Sequence, residues 1–289
     1  MQSSNPIFRR SEGFNGRGNA TMNSPATWST GAAGGYAQGQ GGYDQGGHGG
    51  GYGQAPQVDQ GRMTIDSVVQ KTGLTLGVVV LFAAATWFLT PNLSEDPAAI
   101  STLYALSMFG ALTGFALAMV NSFKKVISPA LVLAYAAVEG IFVGAFSKSL
   151  EAMFGDGLVI GAVLGTMAAV AGTLAAYKFF DIKVTPKFRM WVMGALIGFV
   201  AVSLLNFVLR FFGADFGFNG FGTMGLISSV IALGLGVLLL ILDFDFVERG
   251  IEAGLPERES WRAAFGLTVT IIWIYIELLR LLAILRGND

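Results

Sequence analysis

The sequence predicts an all-α polytopic membrane protein with seven transmembrane helices, and three observations carry that reading. Hydrophobic residues make up 53% of the 289, and charged residues only 13%; an ordinary soluble domain is about a quarter charged, and the mean hydropathy here is +0.59. Seven stretches beyond residue 62 approach the ~20 predominantly apolar residues that a spanning helix needs. Those stretches are continuously apolar rather than alternating, which disfavours a β-barrel.

The chain divides at about residue 62. Residues 1–62 are dominated by glycine between Gly31 and Gly53. Such a segment cannot bury enough apolar surface to offset the entropy of ordering it, so it reads as a disordered cytoplasmic tail. It lacks the apolar run of about 7–15 residues after a charged start that marks a cleavable signal peptide. Its aromatics (Phe8, Phe14, Trp28, Tyr36, Tyr43, Tyr52) are candidate sticky sites, and a passive tether is the preferred reading. Residues 63–289 form the transmembrane domain. The spans are Thr72–Leu89, Ile100–Val120, Pro129–Phe146, Leu158–Phe179, Met190–Phe212, Gly222–Phe246 and Ala263–Leu285, bounded by polar or turn residues such as Pro91-Asn92 and Gly155-Asp156-Gly157.

Lysine and arginine in the short loops set the orientation. With a cytoplasmic N-terminus, the inner side carries eleven: Arg62, Lys71, Lys124, Lys125, Lys178, Lys183, Lys187, Arg189, Arg249, Arg258 and Arg262. The outer side carries three: Lys148, Arg210 and Arg286. The expected arrangement is N-terminus inside and C-terminus outside, with the first span acting as the insertion signal. Glycine pairs four apart, at Gly110/Gly114, Gly140/Gly144, Gly161/Gly165 and Gly194/Gly198, let helix backbones approach closely. Their spread over several helices favours packing within one bundle over a dimer interface.

Composition also excludes chemistries. There is no cysteine, and the single histidine, His48, lies in the tail, so thiolate metal sites and a Ser-His protease have no candidate residues. No phosphate-binding GxxxxGK[ST] motif and no basic stripe for nucleic acid occur. The last span has no lysine for a retinal Schiff base. The protein is not expected to be an enzyme, and no cofactor is expected other than a possible calcium ion. Its expected surroundings are the lipid bilayer and calcium or protons, with a membrane-protein partner left open.

Ionisable residues within the spans are the informative ones, because a charge at mid-bilayer costs at least ~2.5–3.5 kcal/mol and normally faces the protein interior. They are Glu139 in the third span, Asp243 and Asp245 near the cytoplasmic end of the sixth, and Glu277 and Arg280 in the seventh. Glu277 and Arg280, three apart, can meet on one helix face as a self-contained ion pair. Asp243 and Asp245, two apart, point to different faces; Asp243 is deeper and preferred as the inward residue, and Asp245 also reads as an acid at the membrane edge. Glu139 also reads as a carboxyl hydrogen-bonded across helices. Taken together the acids suggest more. Carboxylates brought close cannot all ionise at neutral pH and titrate as a coupled set. Calcium favours several oxygen ligands, so protons and cations would compete for the same oxygens.

The same residues carry a resemblance. The third span reads Ala-Tyr-Ala-Ala-Val-Glu-Gly-Ile, the sixth ends Leu-Asp-Phe-Asp-Phe-Val, and the last reads Tyr-Ile-Glu-Leu-Leu-Arg-Leu-Leu-Ala-Ile-Leu. In that order and on those helices, residues 63–286 resemble the Bax inhibitor-1 family, in a bacterial member. The resemblance implies a seven-helix fold with the last helix enclosed by the other six. It also implies a pH-sensitive calcium leak, closed when aspartates on the sixth and seventh helices share a proton. Asp243 matches the first of these, and Glu277 is the candidate for the second. An ungapped alignment of the closing Leu-Leu-Ala-Ile-Leu puts the family acid at Trp273, one turn before Glu277, and the connection from Glu248 to Arg262 reads as longer than the family's. The expected function is therefore a calcium leak in a bacterial plasma membrane, gated by Asp243, Glu277, Asp245 and Glu139, with Asp243 and Glu277 as the calcium ligands and Arg280 as ion-pair partner. A proton-coupled transporter stays open. The alternative is a non-transporting regulator that binds a membrane protease or a stress-response complex through the 248–262 loop and the aromatic tail.

Overall fold

The computed structural model describes residues 61–91 and 99–287; the Gly-rich tail reading, including its aromatics, lies outside them. The described chain forms seven helices and no β-strand: α1 (Ile65–Leu89), α2 (Ala99–Phe123), α3 (Pro129–Phe154), α4 (Leu158–Phe179), α5 (Pro186–Phe211), α6 (Thr223–Glu252) and α7 (Glu259–Gly287). All seven are long and apolar enough to cross a bilayer. The chain is a multi-pass membrane protein. Large apolar side chains, among them Phe88, Phe123, Phe179, Phe180, Phe211 and Phe212, are left exposed around the bundle. A contiguous apolar exterior of this extent belongs against lipid.

Local chemistry explains where the helices begin. At α1 the Thr64 hydroxyl accepts from the Ser67 N–H while Ser67 Oγ accepts from the Thr64 N–H, both at 3.1 Å, a reciprocal cap that satisfies two otherwise orphaned donors. Pro129 and Pro186 open α3 and α5, where a missing N–H costs nothing. The α3–α4 turn needs left-handed backbone at Gly155 (φ 100°) and Gly157 (φ 84°). The Glu151 carboxylate reaches across that turn to accept from the N–H groups of Gly157 and Val159, at 3.0 and 2.8 Å, at the start of α4.

Several helices outrun the apolar stretches. α6 continues to Glu252 and α7 starts at Glu259, so the connection expected over 248–262 shrinks to residues 253–258. That short loop is pinned to the start of α1: Met63 N–H donates to Leu255 O at 2.8 Å, Glu257 N–H donates to Gly61 O at 3.1 Å, and Lys71 Nζ lies 2.8 Å from Glu257 Oε1. Likewise α3 continues to Phe154, so Lys148 stands inside a helix rather than in an outer loop. Its side chain is buried, and Nζ donates to the carbonyls of Trp87 and Thr90 at 2.8 and 2.6 Å, where α1 ends.

α7 is the most enclosed helix and packs on α1, α3, α4 and α6. It is not ringed by all six: α2 packs on α3 alone, and α5 packs on α6, reaching α7 only through the Phe199–Trp273 rings, 5.8 Å apart. The glycine pairs have unequal roles. Gly140 and Gly144 lie on the α1 backbone at Val79 and Ala83, Gly110 lies on α3 at Phe142, and Gly161 and Gly165 accommodate Leu282 and Leu278 of α7. Gly194 and Gly198 on α5 have nothing within 4 Å.

Candidate functional site

The α6–α7 seam carries several of the bundle's buried polar side chains, among them Ser228, Thr270 and Glu277. Ile274 fills the space left by Gly236, and Trp273 Nε1 donates to the Ala232 carbonyl at 3.0 Å. Closer to the basic end of the bundle, defined by the α2–α3, α4–α5 and α6–α7 connections, Asp243 projects from α6 onto α7. Its Oδ2 accepts a hydrogen bond from Thr270 Oγ1 at 2.6 Å, and its Oδ1 lies over Gly266, where any Cβ would crowd it at 3.3 Å. No lysine, arginine or histidine forms an ion pair with Asp243 among the described residues.

Glu277 lies farther along the same seam. Thr270 and Glu277 are seven residues apart, two turns and about 10 Å of helix, so they share a face of α7 at different depths. Glu277 Oε1 lies 3.6 Å from Arg280 Nη1, an ion pair without a hydrogen bond, and the carboxylate also interacts with the Ser229 hydroxyl of α6, though Oε2 makes no hydrogen bond of good geometry among the described residues. Arg280 does more than neutralise. Its Nη2 donates to the carbonyls of Gly225 at 3.1 Å and Phe218 at 3.4 Å, and to the Ser228 hydroxyl. It thereby staples α7 to the start of α6 and to the α5–α6 connection. Of the seven buried side-chain atoms without a hydrogen-bond partner among the described residues, four lie on α6 and α7: Ser229 Oγ, Thr268 Oγ1, Glu277 Oε2 and Arg280 Nε.

The remaining acids lie elsewhere. Asp245 is buried between two arginines. Its Oδ2 is 2.8 Å from Arg189 Nη2 of α5, and its Oδ1 is 2.9 Å from Arg249 Nε one turn along α6. Sequence reasoning missed Arg189, which was placed among the loop charges; its spacing from Asp245 carries no local signal. Glu139 is partly buried on α3, one turn after Tyr135, and its carboxylate lies against Gly114 of α2. The structure therefore brings Asp243 and Glu277 onto one seam without contact, and keeps Asp245 and Glu139 apart from both. No group of three or more His, Cys, Asp or Glu side chains able to hold a metal ion occurs among the described residues.

A second feature borders α7. α1 and α4 do not pack on one another, and the gap between them is a cavity of about 650 Å³ lined by Val79, Trp87, Ser147, Val163, Thr166 and Tyr275 among others. Its few polar groups satisfy each other or their own helix: Ser147 Oγ and Tyr275 Oη are 2.7 Å apart, and Thr166 Oγ1 donates to Ala162 O at 2.7 Å.

A family model described as "Bax inhibitor 1 like" matches residues 5–287. The chain belongs to that family. The match takes in all seven helices and with them the seam that carries Asp243 and Glu277. An uncharacterized protein of Chlamydia muridarum (strain MoPn / Nigg) is 29% identical over 158 residues, which is 53% of this chain and 63% of that relative. The alignment thus covers less than two thirds of the relative's length.

Proposed function

We propose that this Bax inhibitor 1 like protein is a pH-sensitive leak for cations, calcium foremost, in a bacterial plasma membrane, with its N-terminus in the cytoplasm. One observation carries the reading: Asp243 is a carboxylate set into the helix bundle whose hydrogen-bond partner among the described residues is the neutral hydroxyl of Thr270 alone. Asp245 and Glu277 each have arginine beside them. A carboxylate without a counter-charge in a membrane interior marks an ion or proton pathway. A proton and a passing cation are alternative ways to balance it, so the two compete. Ser229 of α6 and Glu277 of α7 continue the polar route along the same seam, and Glu277 is the second acid a cation would meet. Calcium is cargo in this reading rather than a resident ion, in keeping with the absence of a three-ligand cage among the described residues.

The test is calcium flux into liposomes holding the purified full-length chain, measured across pH. Flux is expected to rise as pH rises through the titration of the site, and Asp243→Asn is expected to lose that pH dependence. Asp245→Asn, which alters an arginine-paired acid, is expected to keep it. A wild-type chain that passes no cation at any pH, or an Asp243→Asn variant with an unchanged pH profile, would overturn the proposal.

A further inference from the structure

At the basic end of the bundle, the start of α5 and the end of α6 enclose a second pocket of about 240 Å³. Its lining is short: Val184, Pro186, Arg189, Met190 and Arg249. A water molecule's share of liquid volume is about 30 Å³, so the pocket admits a group several times larger. The two arginines give it its character, and their arrangement is uneven. Both guanidinium groups converge on the one buried carboxylate of Asp245, leaving a positive charge over.

The hydrogen-bond inventory sharpens the point. A guanidinium offers five N–H donors. Arg189 commits one, from Nη2 to Asp245 Oδ2. Arg249 commits Nε to Asp245 Oδ1 and an Nη2 hydrogen to the Val184 carbonyl at 2.6 Å. The other donors of both residues are uncommitted, and about half of each side chain is exposed, 49% for Arg189 and 52% for Arg249. Asp245 thus works as an anchor. It holds two long, otherwise mobile side chains side by side, each with free N–H groups at the pocket mouth. Glu248, next to Arg249 in sequence, and Glu252, three residues on, carry negative charge at the same end, so recognition rests on the free N–H donors rather than on a net charge. Glu248 accepts the Tyr177 hydroxyl at 2.5 Å, and Asp181 lies 3.4 Å from Lys183, while Lys178 and Lys187 are exposed at the same end.

The depth of the pocket identifies the medium it faces. Trp191, two residues beyond Arg189, is 76% exposed, and Phe179 and Phe180 are exposed at the end of α4. Tryptophan on the outside of a spanning helix sits at the headgroup level. Arg189 and Arg249 therefore stand where lipid phosphates stand, with apolar Val184 and Met190 beside them.

We propose that the Arg189–Arg249 pocket binds the phosphate of an anionic phospholipid headgroup. Paired guanidinium groups match phosphate oxygens with charge-assisted, bidentate hydrogen bonds, and basic pockets between helices at a membrane surface take anionic headgroups. The assignment is independent of any ion flux through the seam.

The experiment is native mass spectrometry of the full-length chain released from detergent with phosphatidylglycerol or phosphatidylcholine, alongside melting temperature in the same detergent. Wild type is expected to retain phosphatidylglycerol at least about fivefold better than phosphatidylcholine. Arg189→Gln is expected to lose most of that preference while still folding, because Arg249 continues to pair with Asp245. Equal retention of the two lipids by wild type, or full preference in an Arg189→Gln/Arg249→Gln double variant, would overturn the proposal. So would inorganic phosphate raising the melting temperature as much as phosphatidylglycerol does, since the ligand would then be a soluble anion.

Discussion

The Thr270 hydroxyl donates to the Asp243 carboxylate at 2.6 Å across the α6–α7 seam, while Thr268, two residues earlier on α7, buries its hydroxyl with no partner at all. The two threonines make a matched experiment. Thr270→Val strips a buried carboxylate of its donor and is expected to destabilise the protein by about 1–3 kcal/mol. Thr268→Val removes a hydroxyl that satisfies nothing and is expected to be neutral or slightly stabilising. Thermal unfolding of both variants in one detergent checks the contrast.

Gly144 and Gly194 belong to identical sequence motifs in opposite surroundings. A Cβ on Gly144 would come to 2.9 Å from Ala83 Cα, whereas one on Gly194 meets nothing within 4 Å. Gly144→Ala must push α1 off α3 and is expected to cost about 1–3 kcal/mol, as overpacking does. Gly194→Ala is expected to change stability by no more than about 0.5 kcal/mol in the destabilising direction. Parallel melting curves distinguish the two, and equal losses would refute the packing assignment.

Arg280 is expected to matter more than its ion-pair partner. Arg280→Met leaves the Glu277 carboxylate buried without a counter-charge and also releases the carbonyls of Phe218 and Gly225. Removing one member of a buried pair costs about 3–5 kcal/mol. Glu277→Gln keeps the carbonyl contacts of Arg280 and is expected to cost clearly less. In the double variant Glu277→Gln/Arg280→Met, part of the Arg280→Met loss should return. A double-mutant cycle by thermal unfolding measures the coupling, and strictly additive losses would contradict the ion pair.

The absence of native cysteine makes the orientation directly testable. Single cysteines in place of Lys125 or Asp181 are expected to react with a membrane-impermeant maleimide only after the cells are opened. One in place of Asp215 is expected to react in intact cells. The reverse pattern would invert the assigned topology.

The spans were readable because each is an unbroken apolar run, and an apolar run in lipid has few alternatives to a helix. Helix ends were less readable where a charge found a tertiary partner. Lys148 reads as a loop residue until the α1 carbonyls that it satisfies come into view, and those depend on how α3 crosses α1. The partner of Asp245 is hidden for the same reason: Arg189 lies 56 residues away in sequence, and only the packing of α5 on α6 joins them. The pairing of Glu277 with Arg280 needed no such information, since three residues on one helix place them together. Asp243 was legible as an inward acid, but its partner was not. Thr270 is an ordinary threonine in the sequence, and the register of α7 against α6 selects it over Glu277, two turns away. The glycine pairs show a similar limit: Gly140/Gly144 and Gly194/Gly198 share one spacing, and only the fold decides which pair meets a neighbour.

The separation of α1 from α4 reaches beyond the bundle itself. On that flank the innermost helix has no helix laid over it, and the Ser147–Tyr275 pair borders the open space. The chain length and saturation of the surrounding lipid thereby become experimental variables on a par with acidity.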